Sequence, residues 1–210
     1  MRDLLHIRAS ELEALGIVEW GYTTETTPRS FKSFEAWAEK AQEHLPFLVK
    51  DKAFRYRSDL KLWYPQAKSA LVFLFSYAPA KKALLAEGFH RVAGYALGFD
   101  GGDYHPLVKS RLQNIEGLLK TQIDFNSKFT HDTEPVMERD LAFRAGLGWF
   151  GKNSMLIHKQ HGSYFIIGSL ILDRELELEN ATTDTDHCGT CRLCAHACPT
   201  HAINPLPRTL

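Results

Sequence analysis

All four cysteines of this 210-residue chain lie within one short run, CGTCRLCAHACP, which begins at Cys188. Their spacing is C-x2-C-x2-C-x3-C, and a proline follows the last cysteine. Cysteines clustered this locally do not suit a disulfide framework, and in a reducing cytosol they indicate metal ligands. The run constrains the fold more than any other feature, because a small segment must wrap its thiolates around a metal site.

The spacing is typical of bacterial 4Fe–4S ferredoxins. The first three thiolates can reach three corners of one cluster from a tight turn, and backbone amides in such a turn point toward the sulfides. A structural zinc site is the alternative, but zinc usually takes two C-x2-C pairs separated by a longer loop. The run therefore predicts a 4Fe–4S cluster, with these ligands: Cys188, Cys191, Cys194 and Cys198.

The fourth ligand of this cluster has more than one interpretation. In two-cluster ferredoxins the cysteine before the proline ligates the other cluster, and this chain contains no cysteine outside the run. Either all four cysteines hold one cluster, or a partner supplies the rest, or the chain is a shortened form of something longer. Three nearby histidines are also candidate ligands, with solvated side chains as the simpler interpretation: His187, His196 and His201.

Composition argues against several classes of partner. The chain has 25 basic and 25 acidic residues, so no global field draws it to nucleic acid or anionic lipid. The longest uncharged apolar run, residues 70–80, is too short to span a bilayer. The N-terminal sequence MRDLLHIRASELEAL suggests an amphipathic helix and not a signal peptide. We expect a cytoplasmic protein without a membrane partner.

Several helices are predicted from periodicity and capping signals. Ser10 and Glu13 have capping-box spacing for a short helix that Gly16 ends. Apolar residues recur at helical spacing between Phe34 and Leu45. Pro106 suits the first turn of a further helix, whose apolar face comprises Val108, Leu112, Ile115 and Leu119.

An unbroken apolar stretch at residues 70–77 predicts a buried strand, and residues 163–172 fit a second one. Residues 98–103 are glycine-rich and predict a loop, and residues 173–187 have the composition of a linker. The mixture indicates an α+β fold. We expect one domain over residues 1–185, followed by a small metal module at 186–210.

The sequence GLGWFG, starting at Gly146, matches the dinucleotide-binding pattern G-x-G-x-x-G. That pattern must follow a buried strand and open a helix. Here it follows ERDLAFRA, which is charged and favours a helix, so the glycines are better explained as a helix C-cap entering a tight loop. The glycines, with Lys152 and Asn153 after them, still mark a place where backbone can approach a ligand closely.

A longer block, HDTEPVMERDLAFRAGLGWFGKN at residues 131–153, resembles the epoxyqueuosine reductases. The resemblance extends to GSYF at 162–165, DYH at 103–105, YPQAKS at 64–69 and the cysteine run. It implies a nitroreductase-like α+β domain that holds cobalamin, followed by a partial ferredoxin-like 4Fe–4S segment. In the family, an epoxide on a tRNA base is reduced with two electrons and two protons.

The resemblance also implies site residues and partners. Asp132 would be the catalytic acid, and a carboxyl buried beside a corrinoid would have a raised pKa. The corrinoid would be lined by Arg57, Asp132, Arg139, Asn153, Ser154 and Met155. Partners would be a tRNA substrate and a flavodoxin- or ferredoxin-like electron donor, with the enzyme acting as a monomer. Without the resemblance, Asp132 fits a turn or helix cap, and Arg139 and Arg144 fit surface ion pairs.

The chain departs from the family pattern in three places. The second cysteine motif is absent, residues 100–102 are additional, and Gly94 stands before Tyr95 where the family commonly has arginine. The resemblance implies an oxidoreductase of the epoxyqueuosine reductase type. Because of these departures, two other functions stay open beside it. One is an iron–sulfur electron-transfer protein, and the other is a cobalamin-dependent reductase of a different epoxide or halide.

Overall fold

The computed structural model describes residues 1, 4–46, 52–78, 93–97, 99, 102–182 and 186–203. Residues 98, 100 and 101 of the predicted glycine-rich loop, and 204–210 of the predicted module, lie outside this set. In chain order the helices and strands are α1 (Ala9–Ala14), β1 (Ile17–Thr23), α2 (Phe31–Ala41), α3 (Lys52–Tyr56), α4 (Leu60–Trp63), β2 (Ser69–Ser76), α5 (Tyr104–Lys120), β3 (Ser127–Thr130), α6 (Glu138–Arg144), β4 (Trp149–Phe150), β5 (Leu156–Ile157), β6 (Phe165–Leu172) and α7 (Leu193–Ala197).

A four-stranded antiparallel sheet forms the centre of the molecule, in the order β1–β2–β6–β3. β2 and β6 pair along their full length, from Ser69 opposite Leu172 to Ser76 opposite Phe165. These are the two apolar stretches predicted as buried strands, and both predictions are confirmed. A separate two-stranded ribbon joins β4 to β5.

The central strand β2 is buried on both faces, which explains its unbroken apolar sequence. Because successive side chains point to opposite faces, Leu71, Phe73 and Phe75 lie in one core with α1 and α5. Val72 and Leu74 lie in the other core, against α6. The sheet is therefore covered by helices on both sides, and the mixed α/β character expected from the sequence is confirmed.

The helix predictions are most accurate where apolar residues recur regularly at helical spacing. All four residues on the predicted apolar face of α5 are fully buried, and Pro106 lies in its first turn. In α2 only Ala38 is buried, and Trp37 remains 52% exposed on an aromatic surface. The predicted capping box of α1 is wrong in register, since the helix begins after Arg8, whose N–H bonds to Glu11.

The first part of the predicted linker packs onto the domain. Leu176 and Leu178 contact the α5-side core, and the Leu176 N–H donates to the Tyr22 hydroxyl at 2.8 Å. Asn180 accepts a hydrogen bond from the Thr24 N–H at 2.8 Å. These contacts fix the direction in which the chain approaches the cysteine run. Among the described helices, none is long and apolar enough to cross a membrane.

Candidate active site

The Asp132 loop, residues 131–137, connects β3 to α6 and has a constrained backbone. Asp132 adopts a φ of 92°, a region that costs a non-glycine residue of the order of 1–3 kcal/mol. Two carboxylates hold the loop. The Asp132 N–H donates to Oε1 of Glu138, the first residue of α6, at 2.9 Å, and the His131 N–H donates to Glu134 Oε2 within the loop at 2.9 Å. Strain maintained by specific hydrogen bonds is characteristic of functional sites.

The Asp132 carboxylate faces the N-terminus of α5. The Tyr104 hydroxyl donates to Asp132 Oδ2 at 2.6 Å, and His105 Nε2 lies 3.7 Å from the same oxygen. His105 Nδ1 in turn lies 2.7 Å from Asp103 Oδ1, and Asp103 is the N-cap of α5. The three residues of the DYH sequence therefore form a chain of ionisable groups that ends at Asp132.

The protein's own atoms leave the Asp132 side chain 64% exposed, so any burial of this carboxyl would come from a bound ligand. The second carboxyl of this site is Glu138, which is half-buried and which sequence reasoning did not single out. Burial raises the pKa of Glu138 to about 7, and the neighbouring carboxylates of Asp132 and Glu134 act in the same direction. The loop thus combines an accessible carboxylate with a second carboxyl that is partly kept from water.

Four of the predicted corrinoid contacts lie together at one turn. Arg139 Nη1, from the first turn of α6, donates to the Ser154 carbonyl oxygen at 2.6 Å. Asn153 Oδ1 accepts from the Met155 N–H at 3.1 Å, Ser154 has a φ of 66°, and the Met155 side chain is exposed. These contacts shape a turn that presents a polar and a thioether side chain next to a fixed guanidinium.

Arg57 lies in a different place, directly after α3. It lines an open cavity of about 380 Å³ together with Thr133 and Pro135 of the Asp132 loop, and its guanidinium is 6.0 Å from the Phe34 ring. The remaining lining residues are Lys52, Ala53, Tyr56 and Trp63. The cavity offers cationic and aromatic groups beside the loop that carries Asp132, a combination suited to a planar, partly anionic ligand.

The glycine motif serves packing and turn formation. Gly146 has a φ of 74° and ends α6 with two bonds, from its N–H to the Phe143 carbonyl and from the Leu147 N–H to the Ala142 carbonyl. This is the Schellman C-cap, and it confirms the predicted C-cap interpretation. At Gly148, with a φ of 139°, a Cβ atom would lie 2.1 Å from the Ile157 carbonyl oxygen.

The cysteine run forms a turn followed by α7. The Cys191 N–H bonds to the Cys188 carbonyl at 2.8 Å, and all four thiols are free. Contact with the Thr200 hydroxyl, 3.4 Å from its sulfur, lowers the pKa of the Cys198 thiol to about 7. Among the described residues, no three Cys, His, Asp or Glu side chains already converge on a metal position.

Two residues of the glycine region contact the cysteine run or the residue directly before it. The Lys152 ammonium donates to the carbonyls of Gly189 at 2.5 Å and Cys191 at 3.0 Å. Trp149 packs 4.7 Å from the His187 ring, and its buried indole N–H has no hydrogen-bond partner within the described part of the chain. Free thiols on a turn whose backbone carbonyls bind a cation are compatible with a thiolate-bound cluster.

Taken together, the sheet, the Asp132 loop and the cysteine run define a mixed α/β protein with a 4Fe–4S-type segment attached. Residues 57–133 match the family model described as "Epoxyqueuosine reductase QueG, DUF1730", and residues 181–204 match that of the 4Fe-4S binding domain. The resemblance to epoxyqueuosine reductases found in the sequence is confirmed.

Individual relatives carry the same family name as the first of these models. An epoxyqueuosine reductase of Cyclobacterium marinum is 36% identical over 90% of this chain and 58% of its own length. One from Cellulophaga algicola is 32% identical over 96% of this chain and 63% of its own length. The chain thus spans about three fifths of these two curated relatives.

Solved structures show the same likeness. The epoxyqueuosine reductase of Streptococcus thermophilus matches with a TM-score of 0.77 at 27% identity, over 93% of this chain and 52% of that one. An epoxyqueuosine reductase crystallised with an epoxyqueuosine-modified tRNA-Tyr stem loop matches with a TM-score of 0.70 at 27% identity, over 92% of this chain and 51% of that one.

Proposed function

We propose that this chain supplies the catalytic machinery for the reduction of epoxyqueuosine to queuosine in tRNA. The observation that carries the proposal is the Asp132 loop, in which a strained backbone holds an accessible carboxyl against Tyr104 and His105. The curated relatives carry the name of this activity, and the relative solved with an epoxyqueuosine-modified stem loop supports tRNA as the substrate.

Removing the epoxide oxygen requires two electrons and two protons, and the oxygen leaves as water. An alkoxide is a poor leaving group, so a proton must reach the oxygen as its bond to carbon breaks. Asp132 is placed to donate this proton, since its carboxyl is accessible to a ligand. His105, oriented by Asp103, has its Nε2 3.7 Å from Asp132 Oδ2 and would return a proton to Asp132.

Two cofactors complete the proposal. Cobalamin, bound in a nitroreductase-like domain over residues 1–185, would supply a strongly reducing centre for the epoxide carbon. The residues that would hold it are Arg57, Asp132, Arg139, Asn153, Ser154 and Met155. A 4Fe–4S cluster on the module at 186–210 would be bound by the four cysteines and would receive electrons from an external flavodoxin- or ferredoxin-like donor.

The test is anaerobic reconstitution of the full chain with iron, sulfide and cobalamin, followed by metal and corrinoid counts per chain. The reconstituted protein then receives a chemical reductant and epoxyqueuosine-containing tRNA, and the nucleosides are analysed by mass spectrometry. We expect one cluster, one corrinoid and queuosine as the product. The Cys191→Ser variant is the matched control, and we expect it to lose the broad visible absorbance of the cluster.

Other results would point to different functions. A cluster without a corrinoid would identify an electron carrier, and a bound corrinoid without tRNA conversion would indicate another epoxide or a halide as the substrate. Zinc in place of iron, in material that stays colourless with added cobalamin, would overturn the proposal.

A further inference from the structure

Lys152 is a buried lysine that joins the domain to the cysteine run. It lies in the connection between β4 and β5, and only 7% of the residue is exposed. Its ammonium donates to the carbonyl oxygens of Gly189 and Cys191, at 2.5 Å and 3.0 Å. These two carbonyls belong to the turn that carries the first two cysteines, so one side chain determines how that turn sits on the domain.

Among the residues that the structure describes, the charge of the Lys152 side chain has no carboxylate partner. Burying a charge is costly unless an opposite charge or several hydrogen bonds offset the lost hydration. The hydrogen bonds to the carbonyl oxygens of Gly189 and Cys191 offset part of the lost hydration. A thiolate-ligated iron–sulfur cluster has a net negative charge and would supply the missing counter-charge at this position.

We propose that Lys152 is a positioning residue that clamps the cluster-binding turn and raises the reduction potential of the cluster. This inference rests on the proposed function, since it requires the cysteines to hold a 4Fe–4S cluster. Reduction adds an electron to an already negative group, and a fixed positive charge nearby stabilises the reduced form more than the oxidised form. The potential is therefore higher with the ammonium than without it.

Lys152 directly precedes the turn that we propose contacts the corrinoid. The next three residues, Asn153, Ser154 and Met155, form the turn that we propose faces the corrinoid. Lys152 therefore contacts the turn that carries the first two cysteines, and it is directly followed in the chain by the turn that we propose faces the corrinoid. Loss of the clamp should loosen this spacing as well as remove the charge.

The test uses the full chain, reconstituted anaerobically with iron and sulfide, and compares three variants with the wild type. Lys152→Met removes the charge and keeps an unbranched side chain of similar length, Lys152→Arg keeps the charge, and Lys159→Met removes an exposed lysine of the nearby β5–β6 connection. The midpoint potential of each cluster is measured by redox titration monitored by electron paramagnetic resonance, and iron is counted per chain.

We expect Lys152→Met to have a lower midpoint potential than the wild type, Lys152→Arg to recover most of the difference, and Lys159→Met to match the wild type. Equal potentials in all four proteins would overturn the proposal, as would the same decrease in Lys152→Arg and Lys152→Met. If Lys152→Met retains no cluster, the iron content of Lys152→Arg is decisive. Iron retained in Lys152→Arg supports the clamp, and a loss of iron equal to that in Lys152→Met contradicts the role of the charge. A wild-type chain without iron would instead show that the proposed function has failed.

Discussion

The hydroxyl oxygen of Tyr104 lies 2.6 Å from Oδ2 of Asp132, and it joins the start of α5 to the loop before α6. The two residues are 28 positions apart in the sequence, so the contact is a product of the tertiary fold. Burial raises the pKa of the Tyr104 hydroxyl above its usual value, and the hydrogen bond to Asp132 raises it further. Tyr104 therefore remains a neutral hydrogen-bond donor to Asp132 Oδ2 throughout the physiological pH range.

Tyr104→Phe should slow the conversion of epoxyqueuosine while leaving the fold intact. A hydrogen bond to a charged group is worth about 1.5–3 kcal/mol, so a loss of roughly 10- to 150-fold in kcat/KM is expected if the bond orients Asp132 for proton transfer. The measurement is single-turnover formation of queuosine in the reconstituted chain. Tyr95→Phe is the matched control, since Tyr95 packs against the Tyr104 ring at 5.5 Å. Equal rates in both variants would remove Tyr104 from this role.

Under the proposed function, Asp132→Asn should leave the proposed corrinoid and cluster bound and lower turnover by about 10²- to 10⁴-fold, the usual contribution of a general acid. Asparagine tolerates a positive φ better than most residues, so the loop should retain its conformation. Corrinoid and iron counts, together with the queuosine assay, check this expectation. Normal turnover with full cofactor content would show that the proton comes from another group.

Glu138→Gln should change how the stability of the protein depends on pH. The pKa of Glu138 is raised to about 7 in the folded protein, so folding favours its protonated form. Its contribution to stability is complete below the ordinary pKa of about 4.5 and is lost as pH rises through about 7. Glutamine remains neutral, so the variant should gain stability relative to the wild type between about pH 5 and pH 8, by at most about 3 kcal/mol.

Urea unfolding of the metal-free chain across this pH range measures that difference. Glu39→Gln removes the same formal charge from an exposed position of α2 and serves as the background. A stability difference between Glu138→Gln and the wild type that does not vary with pH would show that Glu138 does not titrate in this range. The difference must appear in unfolding free energy, since activity alone would also respond to changes at Asp132.

The sequence predicts those helices and strands in which the order of apolar and polar residues follows from burial alone. The apolar face of α5 and the double-sided burial of β2 follow from periodicity, and the structure has both. The start of α1 does not follow from its own capping residues. A pair of backbone hydrogen bonds between Leu4 and Ile7 sets the direction in which the chain enters, and places Arg8 at the N-cap ahead of Ser10.

The sequence predicts only part of the candidate site, because the exposure of its side chains and the contacts between them depend on the tertiary fold. Asp132 and the cysteines can be identified from motifs, but the exposure of Asp132 and the partial burial of Glu138 depend on how the loop folds back on the start of α6. Lys152 appears in the sequence only as a neighbour of the glycine motif. Its clamp on the cysteine run depends on a contact between positions 37 residues apart.

Arg144, which fits a surface ion pair on local grounds, is instead buried with 1% exposure. Its Nε donates to Asp140 Oδ1 at 2.6 Å, and Asp140 also accepts from the Ser30 N–H at 2.7 Å. Asp140→Asn would leave a buried guanidinium without its counter-charge, which costs about 3–5 kcal/mol in comparable pairs. Thermal unfolding measures this loss. Glu11→Gln, which breaks the exposed pair with Arg8, should leave the midpoint nearly unchanged.

Thr200→Val should make Cys198 less reactive. The Thr200 hydroxyl is the largest cause of the lowered pKa of the Cys198 thiol, about 7, and valine has a similar shape without the hydroxyl. Because the thiolate is the nucleophile, alkylation of Cys198 in the metal-free chain should slow roughly three- to tenfold near pH 7.

Peptide mass spectrometry after timed treatment with iodoacetamide resolves the four cysteines and gives the pH profile of each. The profile of Cys198 should move to higher pH in the variant, while those of the other three cysteines should be the same in both proteins. An identical Cys198 profile would exclude the Thr200 hydroxyl as the group that stabilises the thiolate. Because metal ligation requires the thiolate, cluster assembly near neutral pH should slow in the variant to a similar extent.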